Sequence, residues 1–399
     1  MEVDSLAKLR AAFVSTFPPR KCGLATFTAD LMEAIASLKV WPEPQAVAIT
    51  HADNPLEYDR RVGFEIIQEE ESSYVAAAHW LNRAPVDVVM IEHEYGIFGG
   101  PNGAYILTFL KHLKKPALTT LHTVLPQPDR ARADIIRALA ARSTGLVVLA
   151  HKGRDLLVRR YGIPSEKIHM IRHGVPKRPT ASPEELKAKY GLSGRVVIST
   201  FGLLHPGKGM EYVLEALPEV VGEHPEAVYL ILGQTHPEVK KHSGEAYREY
   251  LHGKVDGLGL TEHVRFVNHY LTQEELMEYL ALTDIYITPY LDPQQISSGP
   301  LAYAVALGKA VISTPYLCAR ELLAGGRGVL VPFQNSAAIG TALKELLSNP
   351  ERRAEIAARA RAFGETLFWP AVARSYVELM EAAVAQATAA STEPVGAGR

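Results

Sequence analysis

Between Ile285 and Pro315 the sequence reads IYITPY-LDPQQ-ISSGPLAYAVALGKA-VISTP, and this stretch limits the possible folds more than any other. IYITPY and VIST are short, β-prone apolar runs. SSGPLAYAVALG sets small and apolar residues at helical spacing between them. Ser297 and Ser298 are candidate N-caps, Gly299 and Pro300 suit the first helical turn, and Gly308 is a stop signal. The unit is therefore β-loop-α-β. Its first helical turn presents unpaired backbone N–H groups and the positive end of the helix dipole, which suits a phosphate. A capped crossover helix with no ligand has the same pattern.

The same alternation recurs on both sides of this unit. LRAAFVSTF ends in the tight loop PPRKCG and is followed by the amphipathic pattern LATFTADLMEAIASL, which begins a parallel α/β sheet. Strand-like runs follow at AVAIT, VGFEII, VDVVMIEHEY, PALTTLH, GLVVLA and KIHMIRHG. Residues 175–185, VPKRPTASPEE, are proline-rich and aperiodic and read as a linker. A second series then runs through RVVISTFG, AVYLILG, VRFVNHY and IYITPY, with helical segments between. The 399 residues exceed one ordinary core, so the expectation is α/β with two Rossmann-like doubly wound domains. Their spans are 1–178 and 179–365, followed by a helix over 366–388 and a disordered tail over 389–399.

A net charge of -2 provides no basic field for nucleic acid. No apolar run is long enough to span a bilayer, and MEVDSLAK is not a secretory leader. The two cysteines, Cys22 and Cys318, can neither build a disulfide framework nor supply metal-site spacing. The expected location is cytoplasmic. Peripheral membrane contact through the apolar C-terminal helices stays open, and the sequence does not encode an oligomeric state.

Candidate chemistry gathers at expected C-terminal strand ends, where doubly wound sheets bind ligands. Gly23 lies at the first strand-to-helix turn, with Lys21 before it. His93 and Glu94, His122, and His173 each close an apolar run. In the second series Lys208 lies in the turn FGLLHPGKG, where it can meet a diphosphate or be a solvated residue at a helix start. Gly233 either permits close approach of a ligand or ends a strand. G-x-G-x-x-G, G-x-x-x-x-G-K-[ST] and Asp-x-Asp are all absent, so neither a dinucleotide fingerprint, a Walker loop nor a carboxylate-held metal is indicated.

Taken together, STFPPRKCGLATF, HTVLP, VVLAHKGRDLLVRRYGIPSEKIHMIRHGVP, FGLLHPGKGMEYVLEALPEV, YLILGQ, VRFVNHYLTQEELMEYLALTDIYITPY and SGPLAYAVALGKAVISTPY resemble the retaining GT-B glycosyltransferases of family 4 over most of the chain. The resemblance implies two Rossmann-like domains facing across a cleft, with the last helix crossing back to the N-terminal domain. The first domain takes the acceptor and the second the donor. It implies transfer of a hexose, of mannose or glucose type, from a nucleotide-diphosphate sugar to a carbohydrate or other hydroxyl acceptor, with retention and without metal or cofactor. By the same carry-over, His122 and Lys208 are catalytic, and Gly23, His173, Gly233, Gln295, Ser297, Ser298, Gly299 and Tyr303 bind the donor. Lys21, His93 and Glu94 lie on the acceptor side. The family's Glu-x7-Glu pair is replaced by Gln295 and Tyr303, and its diphosphate arginine by Leu203. Arg172 and Arg320 are candidate substitutes. The competing readings are an inactive nucleotide-sugar-binding or scaffold protein of the same fold, and another GT-B enzyme such as a phosphorylase or an epimerase.

Overall fold

The computed structural model describes residues 8–392. They separate into two compact units: residues up to Gly174 together with those from Trp369 onward, and Val175–Phe368. The first unit holds a seven-stranded sheet in the order β3-β2-β1-β4-β5-β6-β7. Its strands are β1 (Ala11–Ser15), β2 (Gln45–Thr50), β3 (Val62–Ile67), β4 (Val88–His93), β5 (Ala117–Leu121), β6 (Gly145–Val148) and β7 (Ile168–Met170). The second holds six: β8 (Val196–Phe201), β9 (Ala227–Leu232), β10 (Val264–Val267), β11 (Ile285–Thr288), β12 (Ala310–Ser313) and β13 (Val329–Leu330), in the order β10-β9-β8-β11-β12-β13. Every named pairing is parallel.

The sequence explains this layering. β1, β4 and β5 are buried along their whole length, as strands covered by helices on both faces must be, so they read as continuous apolar runs. β3 lies at the sheet edge and alternates half-buried with exposed residues over its first four positions. In both sheets the order reverses at one place, between β1 and β4 and between β8 and β11. Loops leaving those strands diverge and open a crevice at the carboxyl ends, which is where such sheets bind ligands.

Three local expectations are corrected. The stretch 175–185 is not wholly aperiodic: Val175 bridges Phe368, and Ser182 and Glu185 form a capping box that opens the helix Pro183–Lys189. The last helix runs Trp369–Thr392, so 389–392 are helical; the remainder of the expected tail, 393–399, lies outside the described residues. β13 was not anticipated, because two residues are too short to leave a periodic signal.

The helix Trp369–Thr392 joins the core of the first unit through Trp369, Val372, Ala373, Tyr376, Val377 and Met380. Trp369 is 6% exposed, meets the Phe27 ring edge-on at 5.3 Å between centroids, and donates from Nε1 to Asp30 at 3.3 Å. Truncation of this side chain leaves a large void and removes its hydrogen bond to Asp30. Trp369→Ala is therefore expected to cost about 3 kcal/mol of unfolding free energy, and Trp369→Phe clearly less. Urea denaturation followed by circular dichroism checks this, and equal midpoints for wild type and Trp369→Ala would contradict the packing role.

Candidate active site

In the first unit the expected residues gather at the carboxyl end of the sheet. His93 is the last residue of β4, and His122 directly follows β5, its backbone N–H donating to the His93 carbonyl at 3.0 Å. The His122 Nε2 lies 2.8 Å from an oxygen of Glu92, a fully buried carboxylate. Phe27, one helical turn after Gly23, presents its ring to His122 at 4.7 Å and to His173 at 5.0 Å. His173 is half-buried, with Nδ1 2.7 Å from the Gly174 carbonyl, and burial lowers its pKa to about 4. His93 is fully buried between Tyr95 and Phe98; burial lowers its pKa to about 3, so it is a neutral wall residue rather than a charged acceptor contact. Glu94 caps a short turn by accepting from the Tyr95 N–H and is also bonded by the Thr123 hydroxyl.

Gly23 is the first residue of the helix Gly23–Ser37, behind the N-cap Cys22, and Lys21 is exposed just before it. A Cβ at Gly23 would meet nothing within 4 Å. No packing requirement inside the protein explains this glycine, and open space is left beside a helix N-terminus. Gly233 is the opposite case. It adopts φ of +120°, and a Cβ there would lie 2.4 Å from the Gly202 carbonyl oxygen, so the chain itself demands glycine.

In the second unit Lys208 ends the short turn Pro206–Lys208 after β8. It was read as potentially solvated, and the structure corrects this. Its ammonium lies 3.7 Å from the centroid of the buried Tyr290 ring, and burial lowers its pKa to about 8. Among the described residues it makes no ion pair. Tyr290 stacks on Tyr316 at 5.4 Å, and the Tyr316 hydroxyl reaches Thr288 at 3.3 Å and bonds to Ser298. Two stacked rings thus connect the Lys208 turn to the cap of the helix Gly299–Ala306. Ser298, rather than Ser297, is that cap, accepting from the Leu301 N–H at 3.3 Å. Gln295 donates to the Ser297 carbonyl at 2.9 Å and so shapes the approach to the cap. Tyr303 is 8% exposed and packs in the hydrophobic core. Leu203 is half-buried, and the exposed Arg320 places Nε 2.6 Å from the Pro315 carbonyl. Beside the Lys208 turn, His205, His236, Val239 and Tyr247 help line a cavity of about 700 Å³. Burial, Lys208 and His236 hold the His205 pKa at about 4.

Glu92, Phe27, Tyr290 and Tyr316 were not singled out from sequence. Glu92 had a signal: it is the one charged residue in VVMIEH, a strand that is otherwise apolar up to its final histidine. The rings had none, since an aromatic in an α/β core is ordinary. Among the described residues no group of three His, Cys, Asp or Glu side chains is disposed to hold a metal ion.

The two glycine environments predict opposite outcomes. Gly233→Ala should lower stability by about 1–3 kcal/mol through backbone strain, whereas Gly23→Ala should stay within about 0.5 kcal/mol of wild type. Thermal unfolding of the two variants decides it; similar losses in both would show that Gly23 is also structural.

Comparison with known proteins bears on both units. Residues 23–178 match the family described as Glycosyltransferase Family 4, and residues 182–363 match Glycosyl transferases group 1. A GDP-mannose-dependent alpha-(1-6)-phosphatidylinositol monomannoside mannosyltransferase of Mycolicibacterium smegmatis is 30% identical over 183 residues, 44% of this chain and 45% of that protein. Phosphatidyl-myo-inositol mannosyltransferase of the same organism is 27% identical over 307 residues, 76% of this chain and 72% of that protein. D-inositol 3-phosphate glycosyltransferase of Rhodococcus jostii is 26% identical over 63% of this chain and 55% of its own length. Two of these three matches thus span about half of the relative's length. Among solved structures, Anabaena HepE in complex with UDP superposes with a TM-score of 0.74 at 14% identity, covering 94% of this chain and 100% of that one. Sucrose-phosphate synthase from Thermosynechococcus elongatus gives 0.74 at 18% identity, covering 96% and 100%.

Proposed function

The chain belongs to the family 4-like glycosyltransferases of GT-B fold, and on that premise we propose that it transfers a sugar from a nucleotide-diphosphate donor to a hydroxyl acceptor. The observation that carries this reading is Lys208. A half-buried ammonium with no ion pair among the described residues, resting on an aromatic face, is costly to keep unless an anion completes its surroundings. It lies beyond β8, one of the two strands at which the second sheet reverses its order. The cap of the helix Gly299–Ala306 lies beyond β11, the other of those strands. A diphosphate satisfies both features. Lys208 would neutralise the charge that develops on the leaving group, and the N–H groups at Ser298 and Gly299 would donate to its far phosphate.

In the first unit, His122 would contact the donor sugar, and Gly23 would let the donor pass beside a helix N-terminus. Glu94 and Lys21 would face the acceptor. The anomeric carbon–oxygen bond to the diphosphate breaks while the acceptor oxygen bonds to that carbon. The acceptor proton passes to the departing phosphate oxygen, so positioning and charge stabilisation rather than a protein base carry the step. Retention and independence of metal are parts of this proposal. The two mannosyltransferases among the relatives support a mannose-type donor first. Their inositol-containing acceptors make a phosphorylated polyol a natural first candidate to assay. An inactive nucleotide-sugar-binding protein is the second reading, favoured by Tyr303, which lies in the core where the family has a ribose-binding glutamate.

Incubation with GDP-mannose, GDP-glucose, UDP-glucose and UDP-galactose, with nucleotide release as the readout, tests the transferase reading. Binding without release supports the second reading. The lysine also predicts a pH dependence. With a folded pKa of about 8 against an ordinary value of 10.5, it is charged at pH 7 and increasingly neutral above 8. Affinity for GDP and UDP, measured by calorimetry, should therefore fall between pH 7 and 9. In Lys208→Met it should be weaker by about ten-fold or more at pH 7 and nearly flat across that range. Because the unfolded chain binds this proton more tightly, Lys208→Met should not lower the melting temperature of the nucleotide-free protein at pH 7. Wild-type affinity in Lys208→Met would remove this lysine from the site.

A further inference from the structure

We propose that Glu92 is a positioning residue for His122, holding the imidazole in one orientation and one protonation pattern for sugar transfer. The proposal rests on the transferase reading above and extends it to a residue that the family resemblance does not name.

Glu92 is an unfavourable residue for the fold. It lies in β4 among Val88, Val89, Met90 and Ile91, with no exposed surface. One carboxylate oxygen meets His122 Nε2 at 2.8 Å, and the other has no hydrogen-bond partner. A buried carboxylate with an open acceptor is unfavourable for folding, and an aliphatic side chain would suit this strand better. What the residue supplies in return is its effect on His122. With Nε2 committed to a carboxylate, the neutral ring carries its proton there and cannot flip. A partner on one ring nitrogen is the usual way proteins fix the form that the other nitrogen presents.

The neighbouring groups do not compete for this role. His93, next along β4, has both ring nitrogens unpartnered and is held neutral by burial. His173, across Phe27, is likewise held neutral. Tyr376, from the last helix, pairs with the Thr120 hydroxyl, and burial with the nearby Glu92 keeps it protonated. Glu94 is engaged by Thr123 and the Tyr95 N–H, and Asp30 accepts from Trp369. The bond from Glu92 to His122 thus has neutral His93, His173 and Tyr376 beside it, and it is buried, where a hydrogen bond to a carboxylate has its largest directing effect.

The test uses the full chain with the donor found active in the nucleotide-release assay. Glu92→Gln keeps volume and polarity and removes the charge. It should lower kcat about ten-fold or more while donor KM and affinity for the nucleotide diphosphate stay within about two-fold, and Glu92→Asp should recover part of the loss. In the His122→Ala background, Glu92→Gln should cost nothing further, because a residue that acts through another has no effect once its partner is gone. A further fall in the double variant, or an unchanged kcat in Glu92→Gln, overturns the proposal. Should Glu92→Gln fold poorly, Glu92→Leu offers an apolar replacement of similar size for the same cycle. Imidazole ¹⁵N NMR separates this proposal from the transferase reading. If the wild type turns over no nucleotide sugar, the transferase reading fails. The Glu92 assignment then stands if the Nε2–H form of His122 is lost in Glu92→Leu, which removes the acceptor, and falls if that form persists.

Discussion

Parallel strands can be joined only by crossovers, and nearly all crossovers have one hand, so a doubly wound sheet must reverse its order somewhere. In this chain both sheets reverse at the same topological point, with β1 between β2 and β4 and β8 between β9 and β11. The arrangement of the candidate groups follows from that constraint. The loop carrying Lys21 and Gly23 leaves β1, and His93 and Glu94 stand at the end of β4. Lys208 follows β8, and Gln295 and Ser298 follow β11. The same backbone geometry that buries the apolar strands gathers the loose ends of four loops, two in each unit. Polar groups collect there because elsewhere the sheets are sealed by helices.

Glu92 and Lys208 are both taken out of water in these regions, and the protein handles them differently. Glu92 is given a partner from the neighbouring strand end, His122, within the same unit. Lys208 is given only the face of Tyr290 and a lowered pKa. A cation–π contact offsets part of the desolvation of an ammonium but leaves its hydrogen-bonding capacity open. The first arrangement is internally closed and serves orientation. The second is incomplete within the protein, and on the proposed function a ligand anion completes it.

The fold was legible because its signals are long-range and redundant. Twelve of the strands read as apolar runs with turn residues at their ends, and a misjudged boundary does not disturb the alternation. The candidate site was legible only where backbone chemistry specified it. Gly23 and the Ser298 cap are visible as turn and cap residues. Gly233 was visible for the same reason, yet its glycine is explained by contact with Gly202, which sequence spacing cannot reveal. The burial of Lys208 was missed because it depends on Tyr290, more than eighty positions away in sequence. Tyr303 matched a family position by counting, but whether a helical tyrosine faces a pocket or a core is decided by the packing of the whole helix. Here all residues from Leu301 to Ala306 are buried.

The family resemblance sets Gln295 and Tyr303 against two carboxylates and Leu203 against an arginine. Gln295 donates its amide to the Ser297 carbonyl, an interaction that a carboxylate could not make, since two acceptors would face each other. The neutral side chain thus stabilises the loop that delivers Ser298 to its cap position. Leu203, on the other strand end of the same crevice, brings no charge. With an arginine and two carboxylates absent together, the net charge of this region changes by only one unit, and Lys208 faces no acidic competitor among its described neighbours. On the proposed function, recognition of the diphosphate within the second unit falls to the backbone amides at Ser298 and Gly299 and to Lys208.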